Sequence, residues 1–304
     1  MKIISNMKKM FMAVIAMMMT ISASAQFYFY FSDGTVAKLD SISIVAPEPS
    51  VSIGVFSVAS NKQVSFSKGN LQYNATQGSH RRANGTTGKG TWRFATNQWD
   101  YIGEDNSNIS MDYDGWIDLF GWGTGEHPTI ADNYYTSYPY FIDWGDNQIE
   151  RDAPGVWYTM KNEEWEYLLS TRENASNLHG IAQVNGVNGL ILLPDNWTCP
   201  EGISFKTGCH SSYGTEYYEA YQSFTADQWS KMELEGAVFL PAAGGRTSGS
   251  STQVDDILKS GYYWANKGYE SNSGYMLYFD SQNIGVGTSG RQAGMSVRLV
   301  KNVE

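Results

Sequence analysis

The sequence predicts an α+β domain built from short antiparallel strands, two helices and long loops. Aromatic residues make up 14% of the 304 residues and 31 are glycine, a composition typical of β- and loop-rich proteins rather than of helical bundles. Two segments carry the signals of a helix N-terminus. The last forty or so residues are short apolar-aromatic runs separated by Gly, Ser and Asn turns, and the final run has the pattern of a strand.

The first 25 residues have the pattern of a secretory signal peptide. Lys8 and Lys9 form a positive segment, an apolar run follows at 11–21, and Ala23 and Ala25 form a small-residue cleavage site. We therefore expect residues 1–25 to be removed and the rest to be secreted, or held in the periplasm or at the cell surface. No later apolar run reaches the length of a membrane span, so no transmembrane segment is expected.

The charge balance excludes nucleic acid as a partner. The chain has 21 Lys and Arg against 31 Asp and Glu. Without Lys2, Lys8 and Lys9, 18 basic residues remain and the net charge is −13. A phosphate backbone repels such a chain, and no basic stripe offsets the repulsion.

A small β-hairpin is predicted over residues 26–46. Its sequence FYFYFSDGTVAKLDSISIV contains two alternating strands around the turn at 32–35. A hairpin alone is marginally stable in water, so it should pack on something or pair with another chain. The Pro-rich stretch 47–50 has the pattern of a linker, and 51–304 has the size of one further domain.

The first half of that domain is predicted to be mainly β. The segment 74–90 is rich in Gly, Thr and Asn and is interpreted as an exposed loop. The expected strands on either side of it are Val51–Val58, Gln63–Phe66, Gly69–Tyr73 and Thr91–Phe94.

Both helices are expected in the second half. Thr159 precedes a predicted helix over Met160–Ser170, with acidic residues in its first turn. Thr225 begins a Thr-Ala-Asp-Gln capping box that predicts another. Strands are expected at Leu190–Leu193 and Ala237–Leu240.

Two sets of residues suggest a disulfide and a cation site. Cys199 and Cys209 are ten positions apart in an exported chain, which predicts a disulfide; two idle thiols are the alternative. Asp112, Asp114 and Asp118 have the carboxylate spacing of a calcium loop. An acidic turn between aromatic runs is favoured over calcium, because the further acidic ligand of an EF-hand is missing. No other cofactor is expected.

A set of motifs distributed over most of the domain resembles a known family. The motifs are NLQY at 70–73, WRFATNQWDYIG at 92–103, WIDLFGWGT at 116–124, WYTMKNEEWEYLL at 157–169, GLILLPDNW at 189–197, GAVFLPAAGGR at 236–246, YYWAN at 262–266 and GMSVRLV at 294–300. Together they resemble exported Bacteroidetes proteins that are similar to the Fibrobacter succinogenes major paralogous domain and to the formylglycine-generating-enzyme-like branch of the C-type lectin fold.

The resemblance implies a C-type-lectin-like domain over 51–304. In that fold the N- and C-terminal strands pair, two helices flank them, and a long loop region presents a ligand surface. Formylglycine-generating enzymes use a late pair of cysteines for their copper chemistry. No cysteine follows Cys209 here, so that activity is not expected.

The C-terminal loops are the predicted binding region for a glycan or a protein. Flat aromatic rings and amide side chains bind both kinds of ligand. The candidate residues are Tyr262, Tyr263, Asn266, Tyr269, Asn272, Tyr275, Asn283 and Arg291. Arg298, inside the last strand, is interpreted as structural, either paired with an acid or with its stem packed on apolar surface.

The leading interpretation is a non-catalytic, exported binding protein. One alternative is an extracellular hydrolase acting on carbohydrate or peptide through a pair of carboxylates, although no motif selects such a pair. The other is a structural surface protein whose N-terminal hairpin adds to a partner's sheet.

Overall fold

The computed structural model describes residues 27–30, 36–39, 54–128, 140–246 and 253–303. The predicted signal peptide, the turn of the hairpin and the 47–50 linker lie outside these residues. The chain divides into two units, Met1–Pro49 and Ser50–Glu304.

The first unit contains an antiparallel strand pair. Strands β1 (Phe27–Tyr30) and β2 (Val36–Leu39) pair from Phe27 opposite Leu39 to Tyr30 opposite Val36. The two predicted strands of the hairpin are therefore confirmed.

The second unit is mixed α/β, with mostly antiparallel strands and few helices, which confirms the α+β class. Its helices are α1 (Asn162–Glu166), α2 (Glu216–Tyr221) and α3 (Ala226–Leu234). Its strands are β3 (Phe56–Ala59), β4 (Lys62–Phe66), β5 (Leu71–Arg81), β6 (Thr87–Phe94), β7 (Tyr158–Thr159), β8 (His179–Val184), β9 (Val187–Leu192), β10 (Ser223–Phe224), β11 (Val238–Pro241), β12 (Gly245–Arg246), β13 (Val254–Asp255), β14 (Gly261–Tyr269), β15 (Ser273–Phe279), β16 (Ile284–Gly290) and β17 (Leu299–Asn302).

The first and last strands of this unit share one sheet, in the order β3-β4-β17-β7. Val300 of β17 lies opposite Phe66 on one side and Tyr158 on the other. The closing strand is thus an interior strand. We call this the terminal sheet.

The motif at 294–300 belongs to the final run that has the pattern of a strand, but the strand begins only at Leu299. The preceding residues make isolated bridges to other parts of the domain, with Met295 opposite Phe120 and Ser296 beside Tyr263. Residues 295–300 are all buried. The segment therefore crosses the core before it joins the sheet.

A second four-stranded sheet has the order β10-β8-β9-β11. Helix α3 packs Trp229 and Met232 against it, and the Trp229 ring lies 5.7 Å from that of Phe239. The predicted capping box is confirmed, because the Gln228 amide donates to Thr225 Oγ1 and the Thr225 amide donates to Gln228 Oε1.

The other predicted helix is shorter than expected. It starts at Asn162 and continues as a π-helical turn over Tyr167–Thr171. Thr159 does not cap it, because this residue lies in β7 and its hydroxyl donates to Asp143 Oδ1 at 2.8 Å. Glu164 closes the first turn instead, by accepting the Lys161 amide at 2.8 Å.

The interpretation of 74–90 as an exposed loop is wrong. Strands β5 and β6 extend across this segment as one long hairpin, in which Ser79 pairs with Lys89. Asn74 sits at a register shift and its Oδ1 accepts the amides of Thr76 and Gln77. The polar composition reflects exposed strands and a bulge rather than a loop.

Arg298 is structural, but its partners are not acids. It is 1% exposed, and its guanidinium donates to Asn70 Oδ1 at 3.3 Å and to Gln98 Oε1 at 2.7 Å. Burial lowers the pKa of this guanidinium to about 10. The expected acid pairing is replaced by two buried amide side chains.

Candidate functional site

A three-stranded antiparallel sheet carries the predicted binding region. Strands β14, β15 and β16 follow one another in sequence and in space. We call this the C-terminal sheet. One face is in the core, where Tyr263, Leu277 and Phe279 are fully buried.

The opposite face, here the outer face, is partly open. Its half-buried side chains include Tyr262, Met276 and Tyr278. Tyr262 lies opposite Tyr278, which lies opposite Gly285 in the edge strand. Because side chains alternate between the faces of a strand, these three positions point to the same side.

Glycines in the edge strand keep the outer face open. Gly285 and Gly287 stand where larger side chains would cover Tyr278. A Cβ added to Gly287 would lie 3.2 Å from Cδ1 of Tyr278, and one added to Gly285 would lie 3.4 Å from its Cε1. The Tyr278 ring therefore lies beside the glycine backbone of β16, where no side chain covers it.

A cavity of about 390 Å³ lies beside this face, and we call it the outer cleft. Tyr262, Met276 and Ser289 line it from the C-terminal sheet, while Asp255 and Asp256 line it from the segment at β13. The outer cleft therefore combines a phenol, a thioether, a hydroxyl and two carboxylates.

Tyr262 and Asp256 are the polar centre of the outer cleft. The Tyr262 hydroxyl donates to Asp256 Oδ2 at 3.3 Å. Burial raises the pKa of Tyr262, and the Asp256 carboxylate raises it further. The phenol thus stays protonated and remains a donor. Asp256 has a φ of 58°, in the left-handed region, a conformation that costs about 1 kcal/mol or more.

Arg246 also lines the outer cleft, but its side chain is buried and bonded to the backbone of a neighbouring segment. It is 3% exposed, and its Nη1 donates to the carbonyls of Asn106 at 3.2 Å and Leu119 at 3.1 Å. These bonds join β12 to the 103–120 segment.

Of the predicted ligand residues, Tyr262 lies in the outer cleft, whereas Tyr263 was assigned wrongly. Tyr263 is 0% exposed; its hydroxyl donates to the Pro241 carbonyl at 2.9 Å and accepts from Asn70 Nδ2 at 3.2 Å. Tyr263 is a core residue, because it faces the opposite side of the sheet from Tyr262.

A second group of predicted residues lies around the β14–β15 turn. Tyr269 is 41% exposed, and its ring meets the Tyr275 ring edge-on at 5.4 Å. The Asn272 carbonyl accepts the Arg291 amide at 3.0 Å. This end of the C-terminal sheet therefore has an aromatic pair beside a turn that the Arg291 backbone amide stabilises.

The Arg291 side chain also stabilises this turn, through bonds to its backbone. It is 7% exposed and lies over the Trp122 ring at 4.3 Å. It donates to the carbonyls of Ser273 at 3.0 Å and Glu270 at 3.1 Å. The prediction that Arg291 contacts ligand is wrong for this geometry.

Asn266 and Asn283 lie apart from both groups. Asn266 is half-buried and donates to Asp143 Oδ2 at 3.3 Å. Asn283 is in the β15–β16 turn, where it donates to both oxygens of Asp280. It lies at the far end of β15 from Asn272, roughly 20 Å away. The predicted set therefore does not form one site.

The structure does not bring the predicted calcium ligands together. Asp112 and Asp114 are exposed, but Asp118 is 0% exposed. Its two oxygens accept from Asn106 Nδ2 at 2.7 Å and from the Ile102 amide at 3.0 Å. Within the described ranges, no three His, Cys, Asp or Glu side chains form a group that could hold a metal.

The structure does not join the two cysteines of the predicted disulfide, and each is free. The exposed Cys199 donates to the Ile203 carbonyl in its own loop at 3.4 Å. Cys209 is half-buried, and burial raises its pKa to about 11. A thiol with such a pKa is protonated at neutral pH and is a poor nucleophile.

Several residues of the outer cleft were not predicted. Met276 in the outer cleft and Tyr278 beside it alternate with the core residues Leu277 and Phe279, so the two-residue period of β15 could have indicated them. Asp255 and Asp256 have no such signal, because they come from a separate strand.

No protein-family model, curated protein or solved structure matches the chain. None of the helices in the described part of the chain combines the length and apolar character of a membrane span.

Proposed function

We propose that this chain is an exported, non-catalytic binding protein with a C-type-lectin-like domain, and that it binds a neutral glycan in the outer cleft. The family resemblance supports the fold. The pairing of an N-terminal strand of the domain, β4, with its last strand, β17, is also a feature of that fold.

The observation that carries the proposal is the composition of the outer cleft beside an open aromatic face. The carboxylates of Asp255 and Asp256 can accept hydrogen bonds from sugar hydroxyls, and charge-assisted bonds of this kind are the strong ones. The Tyr262 hydroxyl donates its hydrogen to Asp256, so its oxygen can accept from a sugar hydroxyl. Tyr278, opposite Tyr262 on the outer face beside the cleft, offers a flat ring for the apolar face of a sugar.

The charge of the chain favours a neutral sugar over an acidic one. The chain has a formal net charge of −10, and two carboxylates line the outer cleft against one guanidinium, that of Arg246, whose Nη1 is bonded to two backbone carbonyls. Uronic acids and sulfated sugars would meet like charge there.

A glycan array tests the proposal, followed by calorimetry on any neutral hit. We expect Asp256→Asn to weaken binding about tenfold, since one charge-assisted bond is lost. Tyr278→Ala should also weaken it. Tyr269→Ala, at the other end of the C-terminal sheet, is the matched control and should bind normally.

Three results would count against the proposal. These are an array without any hit, hydrolysis of the bound polysaccharide, and a hit that the Asp256 and Tyr278 variants bind as well as the unaltered protein does. Hydrolysis would favour the alternative of an extracellular hydrolase.

The paired strands β1 and β2 support a second candidate function, surface assembly through the N-terminal hairpin. They form a two-stranded sheet of their own, which is marginally stable without a partner. Deleting residues 26–46 should then abolish association with the cell surface, as measured by fractionation. Unchanged association would contradict this function.

A further inference from the structure

A second cavity, of about 330 Å³, opens at the terminal sheet, and we call it the terminal cleft. It shares no lining residue with the outer cleft. Its lining includes Phe66, which is half-buried, and Phe56 and Phe94, which are buried. The volume is at the small end of the range for ligand pockets, roughly 300–1,000 Å³, so it suits a small molecule.

A carboxylate on α3 faces this cleft in a fixed orientation. Gln98 Nε2 donates to Glu233 Oε1 at 2.7 Å. The Gln98 oxygen is already occupied by the Phe239 amide and by Arg298, each at 2.7 Å. The Gln98 amide must therefore present its NH₂ group to Glu233. Among the described residues Glu233 has no ion-pair partner.

An ammonium group lines the same cleft from β17. Lys301 Nζ lies 5.0 Å from the centroid of the Trp157 ring. Within the described ranges Lys301 makes no ion pair either. The terminal cleft therefore offers one group of each sign without a direct ion pair, beside an aromatic surface. Gln98 lies between Glu233 and the buried Arg298, and the Glu233 charge favours the ionised form of that guanidinium.

The remaining charged groups of the terminal cleft have partners. Lys68 pairs with Glu150 at 3.0 Å, and Asp152 accepts from Trp157 Nε1 at 2.8 Å. Ser65 also lines the cleft; it is 2% exposed, and its Oγ has no hydrogen-bond partner in the described part of the chain. That oxygen has no accessible surface, so the charged groups that a ligand in the cleft can reach are Glu233 and Lys301.

We propose that the terminal cleft binds a free α-amino acid with an apolar side chain. Glu233 holds the α-ammonium group, Lys301 holds the α-carboxylate, and the side chain lies against the aromatic lining of the cleft. A dipolar ligand matches the pair of opposite charges, and the aromatic walls select the apolar side chain.

Calorimetric titration with L-phenylalanine and two analogues tests this proposal. Phenethylamine lacks the carboxylate, and 3-phenylpropionate lacks the ammonium group. We expect L-phenylalanine to bind at least about tenfold more tightly than either analogue, because each analogue loses one charge-assisted contact. This arm uses the unaltered protein, so it stands even if a variant fails to fold.

Two variants assign the contacts. Glu233→Gln should weaken the binding of L-phenylalanine about tenfold and leave the affinity for 3-phenylpropionate unchanged. Lys301→Met keeps an apolar stem over Trp157. It should weaken the binding of L-phenylalanine and leave the affinity for phenethylamine unchanged. Glu163→Gln removes the same charge from the first turn of α1, outside the cleft, and should have no effect.

The proposal is overturned if L-phenylalanine does not bind, if either analogue binds as tightly as L-phenylalanine, or if neither cleft variant changes its affinity. None of these results bears on glycan binding in the outer cleft, because the two sites have no residue in common.

Discussion

The buried carboxyl group of Asp118 should make the stability of this domain depend on pH. Asp118 is 0% exposed, and burial raises its pKa to about 6 from an ordinary value of 3.8. The folded state therefore holds this proton more tightly than the unfolded state. Stability from Asp118 is fully present below pH 3.8 and is lost as pH rises through 6.

The size of the effect follows from the shift in pKa. A shift of about two units corresponds to about 3 kcal/mol in total. Between pH 4 and pH 7 the loss is about 2 kcal/mol, because the unfolded carboxyl group is already half ionised at pH 4.

Urea unfolding of the unaltered protein and of Asp118→Asn at pH 4, 5, 6 and 7 measures this effect. The free energy of unfolding of Asp118→Asn, subtracted from that of the unaltered protein, should fall by about 2 kcal/mol across the range. The subtraction cancels all other titrating groups. The asparagine also loses one of two hydrogen bonds, but that offset does not change with pH.

Asp112→Asn removes the same charge from an exposed position and is the control. The difference between its free energy of unfolding and that of the unaltered protein should stay constant from pH 4 to pH 7. A difference for Asp118→Asn that is equally constant would refute the reasoning, since it would mean that Asp118 ionises alike in both states.

Four further substitutions test other parts of the structure. Arg298→Met leaves the buried Asn70 Oδ1 without its donor and should lower the free energy of unfolding by about 1–3 kcal/mol, whereas breaking a buried ion pair costs about 3–5 kcal/mol; urea unfolding distinguishes the two. Thr225→Ala should cost about 1 kcal/mol through loss of the α3 cap, measured by urea unfolding. Tyr263→Phe should cost about 1–3 kcal/mol in the same assay, because two buried groups lose their partner, and glycan binding should persist. Gly287→Val should displace the Tyr278 ring and weaken glycan binding in calorimetry without lowering the melting temperature; unchanged binding would contradict the role assigned to the open face.

Local features of the fold could be predicted from the sequence, because their physics is local. The capping box at Thr225 is complete within four residues, and the alternation in β1 and β2 identifies both strands. The same alternation shows that Tyr262 and Tyr263 point to opposite sides of β14. It does not show which side is the core, since that depends on which strands pack beneath the sheet.

Features that depend on distant residues could not be predicted. Arg298 finds two amides, those of Asn70 and Gln98, that are far away in sequence. Similarly, the spacing of Asp112 and Asp118 suggests a common cation, but burial of Asp118 against Asn106 separates them.

The interior position of β17 has a consequence for the order in which the domain can form during synthesis. β4 and β7 are both made before β17, yet each needs β17 as its neighbour in the terminal sheet. Until residue 302 has left the ribosome, two strand edges stay unpaired and the buried segment 295–300 is missing from the core. A nascent chain in this condition should remain largely unfolded, so folding of the whole domain waits for a segment of four residues.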